Sequence, residues 1–230
     1  MKRYAAVPLL VFVLAGAGLA QSRTWSVLCL GDSITACSGP FGCYRVVLAR
    51  LVDDREPHIR FVGTQESDSS FGKLRHEGYG GRTTEFLAEN MERLYSANPA
   101  DIILLHSGHN HFAEEHPVPG ILKATEQIIA TARRINPRAV VMVAQVIPSG
   151  KLPKYSYLPE LNAELAVLAK RLDRPCQPVI LVDQASGFDP VRDTVDDLVH
   201  PNEQGAEKIA QRWYSALTAE IRKSRPACSE

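Results

Sequence analysis

Short apolar runs alternate along the chain with longer segments in which apolar residues recur every three or four positions. The runs predict strands over residues 26–30, 59–62, 102–105, 139–147 and 179–182. The recurring segments predict helices over about 44–54, 83–96, 119–136, 158–172 and 203–221. Because the strands are apolar throughout, both faces of the sheet are expected to be buried. The pattern therefore predicts an α/β domain with a parallel sheet covered by helices on both faces.

One internal segment departs from this alternation. Residues 64–81 are polar and rich in glycine, and they predict a long loop. A loop of that length in a compact domain is usually functional or mobile.

The first twenty residues differ from the rest of the chain. Met1-Lys2-Arg3 is a short basic start, residues 7–20 are mostly apolar, and Gly18-Leu19-Ala20 offers small residues at a cleavage position. This pattern is typical of a secretory signal and is too short for a membrane span. We therefore expect a signal peptide over 1–20, a single domain over 21–230, a secreted or periplasmic location, and no membrane association after cleavage.

The charge balance of the chain excludes one class of partner. The whole chain has 26 Lys and Arg against 26 Asp and Glu, and removing Lys2 and Arg3 leaves 24 against 26. With no basic stripe, the sequence predicts no nucleic-acid partner.

Export permits disulfides among the five cysteines. Cys37 and Cys43 flank a flexible loop and either form a bridge or stay free. Cys176 and Cys228 have the same two options, and Cys29 in an apolar strand is expected to be buried. Without a Cys-x-x-Cys spacing, no structural zinc is expected.

The candidate chemistry begins at Gly31-Asp32-Ser33, directly after the first predicted strand. This position places Ser33 at the carboxyl end of a strand, where open α/β sheets form their sites. The triplet is also compatible with an ordinary turn, because all three residue types favour turns. A catalytic serine needs a base, an orienting acid and oxyanion donors.

A candidate base and acid occur together near the last helix. Asp197 and His200 are three residues apart, a spacing that lets one turn of chain bring both side chains to the same side. Asp196 is a second candidate for the acid. The alternative is a histidine near a helix cap with a solvated aspartate.

Two glycine-containing loops supply candidate oxyanion donors. Gly81 has a backbone N–H that no side chain obstructs, and Asn110 has a side-chain amide. The first segment is equally compatible with a plain flexible loop, and the second with a turn that holds Asn110 in a left-handed conformation.

The order of these blocks resembles the SGNH (GDSL) hydrolases, and within them most resembles the carbohydrate esterase family 3 acetylxylan esterases. The four blocks that carry the resemblance are Gly31-Asp32-Ser33-Ile34, Gly81, Gly108-His109-Asn110 and Asp197-Leu198-Val199-His200. Further matches are Tyr44-Arg45, Phe61-Val62-Gly63-Thr64, His76-Glu77-Gly78, Ala144-Gln145-Val146-Ile147-Pro148 and His200-Pro201-Asn202.

The resemblance implies a three-layer α/β/α, flavodoxin-like fold with a five-stranded parallel sheet in the order 2-1-3-4-5. It also implies roles for five residues. Ser33 is the nucleophile, His200 the base and Asp197 its orienting acid. The backbone N–H groups of Ser33 and Gly81 and the side-chain amide of Asn110 hold the oxyanion. No metal and no organic cofactor are expected.

The expected function is therefore an exported serine esterase that removes O-acetyl groups from carbohydrate, acting as a monomer. Alternatives are a lysophospholipase, thioesterase or arylesterase of the same superfamily, or a non-catalytic carbohydrate-binding domain. In the third block, His109 and His111 stand where the family commonly has Thr and Asp, which bears on substrate choice. The histidines 106, 109, 111 and 116 are close in sequence, but they have no nearby cysteine and no regular helical spacing, so no zinc site is expected there.

Overall fold

The computed structural model describes residues 23–56, 58–70 and 72–223. The signal peptide expected over 1–20 lies outside the described residues, and so does Cys228. None of the described helices is long and apolar enough to cross a membrane.

Seven strands of the described chain form one sheet in which most neighbours run parallel. They are β1 (Trp25–Gly31), β2 (Ile59–Val62), β3 (Gln65–Ser69), β4 (Gly72–Gly78), β5 (Ile102–His106), β6 (Val140–Gln145) and β7 (Val179–Asp183). The parallel core follows the order β2-β1-β5-β6-β7, which is the predicted 2-1-3-4-5. The α/β fold predicted from the sequence is confirmed.

Six α-helices of the described chain connect and cover these strands. They are α1 (Ser33–Ala36), α2 (Tyr44–Arg55), α3 (Thr84–Ala97), α4 (Val118–Ile135), α5 (Leu158–Leu172) and α6 (Glu203–Ile221). The sequence predicted all of them except α1, a single turn too short to show a periodic pattern.

The sheet is buried between two layers of helices. Alternate side chains of β1 face opposite ways: Val27 and Cys29 pack in one apolar cluster, with residues of α2 and α6, and Leu28 and Leu30 pack in the other, with residues of α3, α4 and α5. Because strand side chains alternate between faces, an apolar strand buried on both sides supplies both clusters. This is why the strands read as continuous apolar runs.

The prediction of a long loop over residues 64–81 was wrong. Most of this segment forms an antiparallel hairpin of β3 and β4. The two strands pair through their backbones, and several facing side chains are charged: Glu66 lies opposite Arg75 and Asp68 opposite Lys73, and both pairs form salt bridges. Cross-strand charge pairs stabilise a hairpin without an apolar pattern. The sheet therefore has seven strands instead of five.

The hairpin places a further loop next to the end of β1. The last residues of β1 pair with the ends of two strands: Gly31 lies opposite Gly78 of β4 on one side and opposite His106 of β5 on the other. The loops that follow β1, β4 and β5 therefore leave the sheet side by side.

Candidate active site

Ser33 is the first residue of α1 and follows β1 after one intervening residue, Asp32. Asp32 Oδ1 accepts a hydrogen bond from the Ile34 backbone N–H at 3.0 Å, so its side chain caps this one-turn helix. A Cβ added at Gly31 would lie 2.2 Å from the His106 carbonyl oxygen. Glycine is therefore required just before the turn, because any side chain would separate β1 from β5.

A buried arginine holds the other end of the one-turn helix. Arg45 Nε donates to the Thr35 carbonyl oxygen at 2.5 Å, and one Arg45 Nη donates to the Ala36 carbonyl oxygen at 2.9 Å. Arg45 is 2% exposed. Because charge-assisted hydrogen bonds in a buried setting are strong and directional, Arg45 fixes the carbonyl end of α1 while Asp32 fixes its amide end.

The three side chains predicted to act together form a continuous hydrogen-bonded chain. His200 Nε2 lies 2.8 Å from Ser33 Oγ, and His200 Nδ1 lies 2.5 Å from Asp197 Oδ2. Since an ionised carboxylate only accepts, Nδ1 carries the proton and Nε2 accepts from the Ser33 hydroxyl. In this tautomer the imidazole is placed to take the serine proton.

Backbone groups in the long connection between β7 and α6 hold Asp197 in position against His200. Asp197 Oδ1 accepts from the backbone N–H groups of Val199 and His200, both at 2.9 Å, and Leu198 takes a left-handed conformation with φ of 58°. Burial alone would raise the pKa of Asp197, but the hydrogen bonds from His200 and these backbone groups outweigh it and lower the pKa. Asp196, the second candidate for the acid, and Asp197 are both exposed to solvent, and Asp197 is the one whose carboxylate contacts the His200 ring.

The two candidate oxyanion loops contact each other, and they follow β4 and β5, the two strands that flank the end of β1. Asn110 Nδ2 donates to the Arg82 carbonyl oxygen at 3.0 Å, which joins Asn110 to the residue after Gly81. Gly81 and Asn110 both have positive φ, 72° and 68°. An amide nitrogen carries two hydrogens, so the contact with Arg82 occupies one hydrogen of Asn110.

An aromatic ring that the sequence analysis did not identify lies against His200. The Phe41 ring stacks on the imidazole with a centroid distance of 4.4 Å and an interplanar angle of 23°. Phe41 lies in the loop closed by a disulfide between Cys37 and Cys43. The sequence alone did not decide whether these two cysteines form a bridge. The Gly42 backbone N–H also donates to the Pro201 carbonyl oxygen at 2.7 Å. In the sequence, the only indication of the contact between Phe41 and His200 was the position of Phe41 between the two cysteines.

The structure separates the four histidines that are close in sequence. His106 and His109 are buried beside Asp32, and one possible ligand atom from each of the three residues lies within 4.8 Å of the others. His111 instead contacts Glu85 at 3.1 Å and Glu115 at 3.4 Å, and His116 is exposed. The residues of the described chain that come nearest to a metal-binding arrangement are therefore Asp32, His106 and His109.

Sequence comparison places the chain beside known hydrolases. The sequence profile described as the GDSL-like Lipase/Acylhydrolase family matches residues 29–208, a span that includes every predicted site residue. Curated proteins gave no significant match.

Several solved structures are similar over most of the chain. A family 3 carbohydrate esterase from Clostridium thermocellum is 26% identical with a TM-score of 0.73, and the match covers 87% of this chain and 98% of that one. A carbohydrate esterase family 3 structure from Talaromyces cellulolyticus is 23% identical with a TM-score of 0.77, covering 86% and 99%. An acetyl esterase mutant solved with an acetate ion has the same identity, TM-score and coverage.

Proposed function

Because the chain belongs to the GDSL-like lipase/acylhydrolase family and is a carboxylic ester hydrolase, we propose that it removes O-acetyl groups from carbohydrate through an acyl-enzyme on Ser33. The observation that carries this proposal is the hydrogen-bonded chain from Ser33 Oγ through His200 to Asp197. The choice of carbohydrate is supported by the similarity to the Clostridium thermocellum family 3 carbohydrate esterase. The choice of an acetyl ester rests on the resemblance of the sequence blocks to the acetylxylan esterases of carbohydrate esterase family 3.

In the first half of the reaction, Ser33 Oγ attacks the ester carbonyl carbon while His200 Nε2 takes the hydroxyl proton. The charge that develops on the carbonyl oxygen is held by the N–H groups of Ser33 and Gly81 and by the Asn110 amide. When the bond to the sugar oxygen breaks, His200 returns the proton to that oxygen and the sugar leaves. The acetyl group then remains on Ser33 as an ester.

In the second half, water attacks the acetyl carbonyl carbon and gives a proton to His200 Nε2. The bond to Ser33 Oγ breaks, the serine recovers the proton, and acetate leaves. Asp197 accepts from His200 Nδ1 throughout, so it stabilises the imidazolium that forms in each half without taking the proton itself.

Acetate release tests the proposal. We expect the protein to release acetate from acetylated xylan and from p-nitrophenyl acetate, and we expect Ser33→Ala to lose both activities. Ser96→Ala, which changes an exposed serine on α3, is the matched control and should keep both. Turnover of p-nitrophenyl acetate alone would exclude acetylated xylan as the carbohydrate substrate, and preference for long-chain p-nitrophenyl esters would favour a lipase-like acylhydrolase.

We also propose that the protein is exported and acts as a monomer with one domain over 21–230. The basic start and apolar run within residues 1–20 support export, and the Cys37–Cys43 disulfide supports an oxidising compartment. Fractionation of the native host, with light scattering on the purified protein, tests both points. Retention of an uncleaved chain inside the cell would contradict export, and a stable dimer would contradict the monomer.

A further inference from the structure

The segment that carries Gly81 is a tight turn between β4 and α3. The Arg82 N–H donates to the Tyr79 carbonyl oxygen at 3.2 Å, which closes a four-residue turn over 79–82. Gly81, the third residue of the turn, has φ of 72°, whereas Gly80 is not at positive φ. This combination defines a type II turn. The turn type decides which way the peptide between Gly80 and Gly81 faces, and therefore where the Gly81 N–H points.

Glycine at position 81 is required by the backbone rather than by lack of space. A Cβ added there would meet no atom of the described chain within 4 Å. The constraint is the positive φ, which a residue with a side chain adopts only with strain. Since no neighbour packs closely around Gly81 on this side, the position of the turn depends on the contacts of its other residues.

Three hydrogen bonds in the described chain tie the turn to its surroundings. The Tyr79 N–H donates to the Gly31 carbonyl oxygen at 2.9 Å, at the end of β1. The Asn110 amide donates to the Arg82 carbonyl oxygen at 3.0 Å. The Tyr79 hydroxyl donates to Glu77 Oε2 at 2.6 Å. The first two bonds join the turn to other parts of the candidate site, and the third joins it to a side chain that has no role in the reaction described above.

Glu77 is a fully buried carboxyl group near the end of β4. It lies opposite Leu30 where β4 pairs with β1. Besides the Tyr79 hydroxyl, it accepts from the Thr64 N–H at 2.5 Å and from the Thr64 hydroxyl at 3.0 Å. Burying a carboxyl group costs free energy unless the group is well hydrogen-bonded. These three donors therefore fix the carboxyl group, and Glu77 in turn offers Tyr79 an acceptor in a fixed position.

Tyr79 is held through its side chain as well as its backbone. Burial, and after it the hydrogen bond to Glu77, raises the pKa of Tyr79 above its ordinary value, so the hydroxyl keeps its proton at neutral pH. The ring also makes an edge contact with the Phe86 ring, at a centroid distance of 5.6 Å. The first residue of the turn is therefore anchored at three points: its N–H, its ring and its hydroxyl.

We propose that Glu77 is a positioning residue for the oxyanion site, and that it acts through the Tyr79 hydroxyl to hold the turn where the Gly81 N–H stabilises the oxyanion. This inference rests on the proposed function, which gives Gly81 that role. The turn is also bonded to the end of β1, and Ser33 follows that strand after one residue. Donor and nucleophile thus keep a fixed relative position, as preorganised electrostatic stabilisation requires.

The alternative is that Glu77 only braces the sheet, by joining Thr64 after β2 to β4. A brace would affect stability without affecting the chemical step. Tyr95 provides the matched control, because its buried hydroxyl also donates to one acceptor, the Ala100 carbonyl oxygen at 2.6 Å. Ala100 lies just before β5, at the opposite end of that strand from the candidate site.

Steady-state hydrolysis of p-nitrophenyl acetate tests the proposal. Tyr79→Phe removes the hydroxyl and should lower kcat and kcat/KM equally, by about 10-fold, because a displaced donor forfeits part of the roughly 10²–10³ that a lost donor costs. Tyr95→Phe should lose stability in urea and keep both constants. Unchanged constants in folded Tyr79→Phe, or an equal loss in Tyr95→Phe, would overturn the proposal.

A double variant tests whether Glu77 acts through Tyr79. Glu77→Leu removes the acceptor and should lower kcat by at least as much as Tyr79→Phe does. If the two residues act as one unit, Glu77→Leu/Tyr79→Phe should lose no more than Glu77→Leu alone. Losses that multiply in the double variant would overturn the proposal. If Glu77→Leu does not fold, the comparison of Tyr79→Phe with Tyr95→Phe decides.

Amide hydrogen exchange tests the anchoring of the turn without any turnover. The N–H groups of Tyr79 and Arg82 are both hydrogen-bonded in the turn or at its base. We expect both to exchange several-fold faster in Tyr79→Phe, while the amides of β5 keep their rates. Unchanged exchange at both positions would overturn the inference whether or not the protein hydrolyses esters. Faster exchange in a protein that hydrolyses no ester would support the anchoring by Glu77 and contradict the proposed function instead.

Discussion

Removing the Cys37–Cys43 disulfide should lower both stability and activity, and the two losses have different causes. The bridge spans a sequence separation of 6, so it closes a loop of about seven residues. Loop-closure entropy for that length contributes about 2.4 kcal/mol at 25 °C. We expect Cys37→Ser/Cys43→Ser to lose about this much free energy of unfolding and roughly 5–9 °C in Tm.

The expected loss of activity comes from the stack of Phe41 on His200. With centroids 4.4 Å apart, an aromatic pair contributes about 0.5–1.5 kcal/mol beyond its buried area. If the opened loop no longer holds Phe41 in place, kcat/KM should fall by at most roughly 12-fold, because only the part of this energy that supports His200 in the transition state and not in the free enzyme changes the rate. The activity assay is p-nitrophenyl acetate hydrolysis, measured well below the unfolding transition of either protein, and urea unfolding gives the stability.

Phe41→Ala with the disulfide intact separates the two effects. This variant loses the stack but keeps the loop closed, so it should match the activity loss of the double variant without the loop-closure part of its stability loss. Full activity in the double variant, while Phe41→Ala is impaired, would show that the disulfide does not position the ring. Full activity in both would refute the role of the stack.

Three further variants test the site and its surroundings. Asn110→Ala removes an oxyanion donor and should lower kcat by about 10²–10³ with little change in KM, so a loss under about threefold in steady-state assays would contradict that role. Asp197→Asn, which cannot keep His200 in the required tautomer, should lower kcat/KM by roughly 10³–10⁴, and near-normal turnover would contradict the assignment of the acid. Burial alone would lower the pKa of His111, but the carboxylates of Glu85 and Glu115 outweigh it and raise the pKa. The stability that this contact contributes is therefore present below the ordinary histidine pKa and is lost as the pH rises through the raised value. His111→Gln should then lose more free energy of unfolding at about pH 5.5 than at about pH 8.5, and equal losses by urea unfolding would refute this.

The fold was predictable where burial leaves a pattern in the sequence. Strands such as β5 and β6 are apolar throughout because helices cover both faces, and that composition identifies them. The β3–β4 hairpin was not predictable, because it is held by pairs such as Glu66–Arg75 and by its place beside β1. Neither the charged pairs nor the position beside β1 produces a regular pattern of apolar residues in the sequence.

The site was predictable where its residues belong to short local motifs. Ser33 follows a strand end, and Asp197 and His200 are three residues apart, so each could be placed from its neighbours. The contact of Phe41 with His200 depends on how a loop packs against a segment about 160 residues away in the chain. The four histidines are close in sequence, but the backbone between them is irregular, with Gly108 and Asn110 both at positive φ. His106 and His109 therefore lie inside and His111 lies against α3.

The central claim is that His200 and Asp197 activate Ser33 as a nucleophile, and covalent labelling tests it most directly. A p-nitrophenyl phosphonate ester reacts with activated serines and leaves a stable adduct. We expect mass spectrometry of the digested protein to find one adduct on the peptide that contains Ser33, formed in step with loss of esterase activity. We expect no adduct in folded Ser33→Ala and much slower labelling in folded His200→Ala. An adduct at another residue, or labelling of Ser33 at the same rate without His200, would contradict the account.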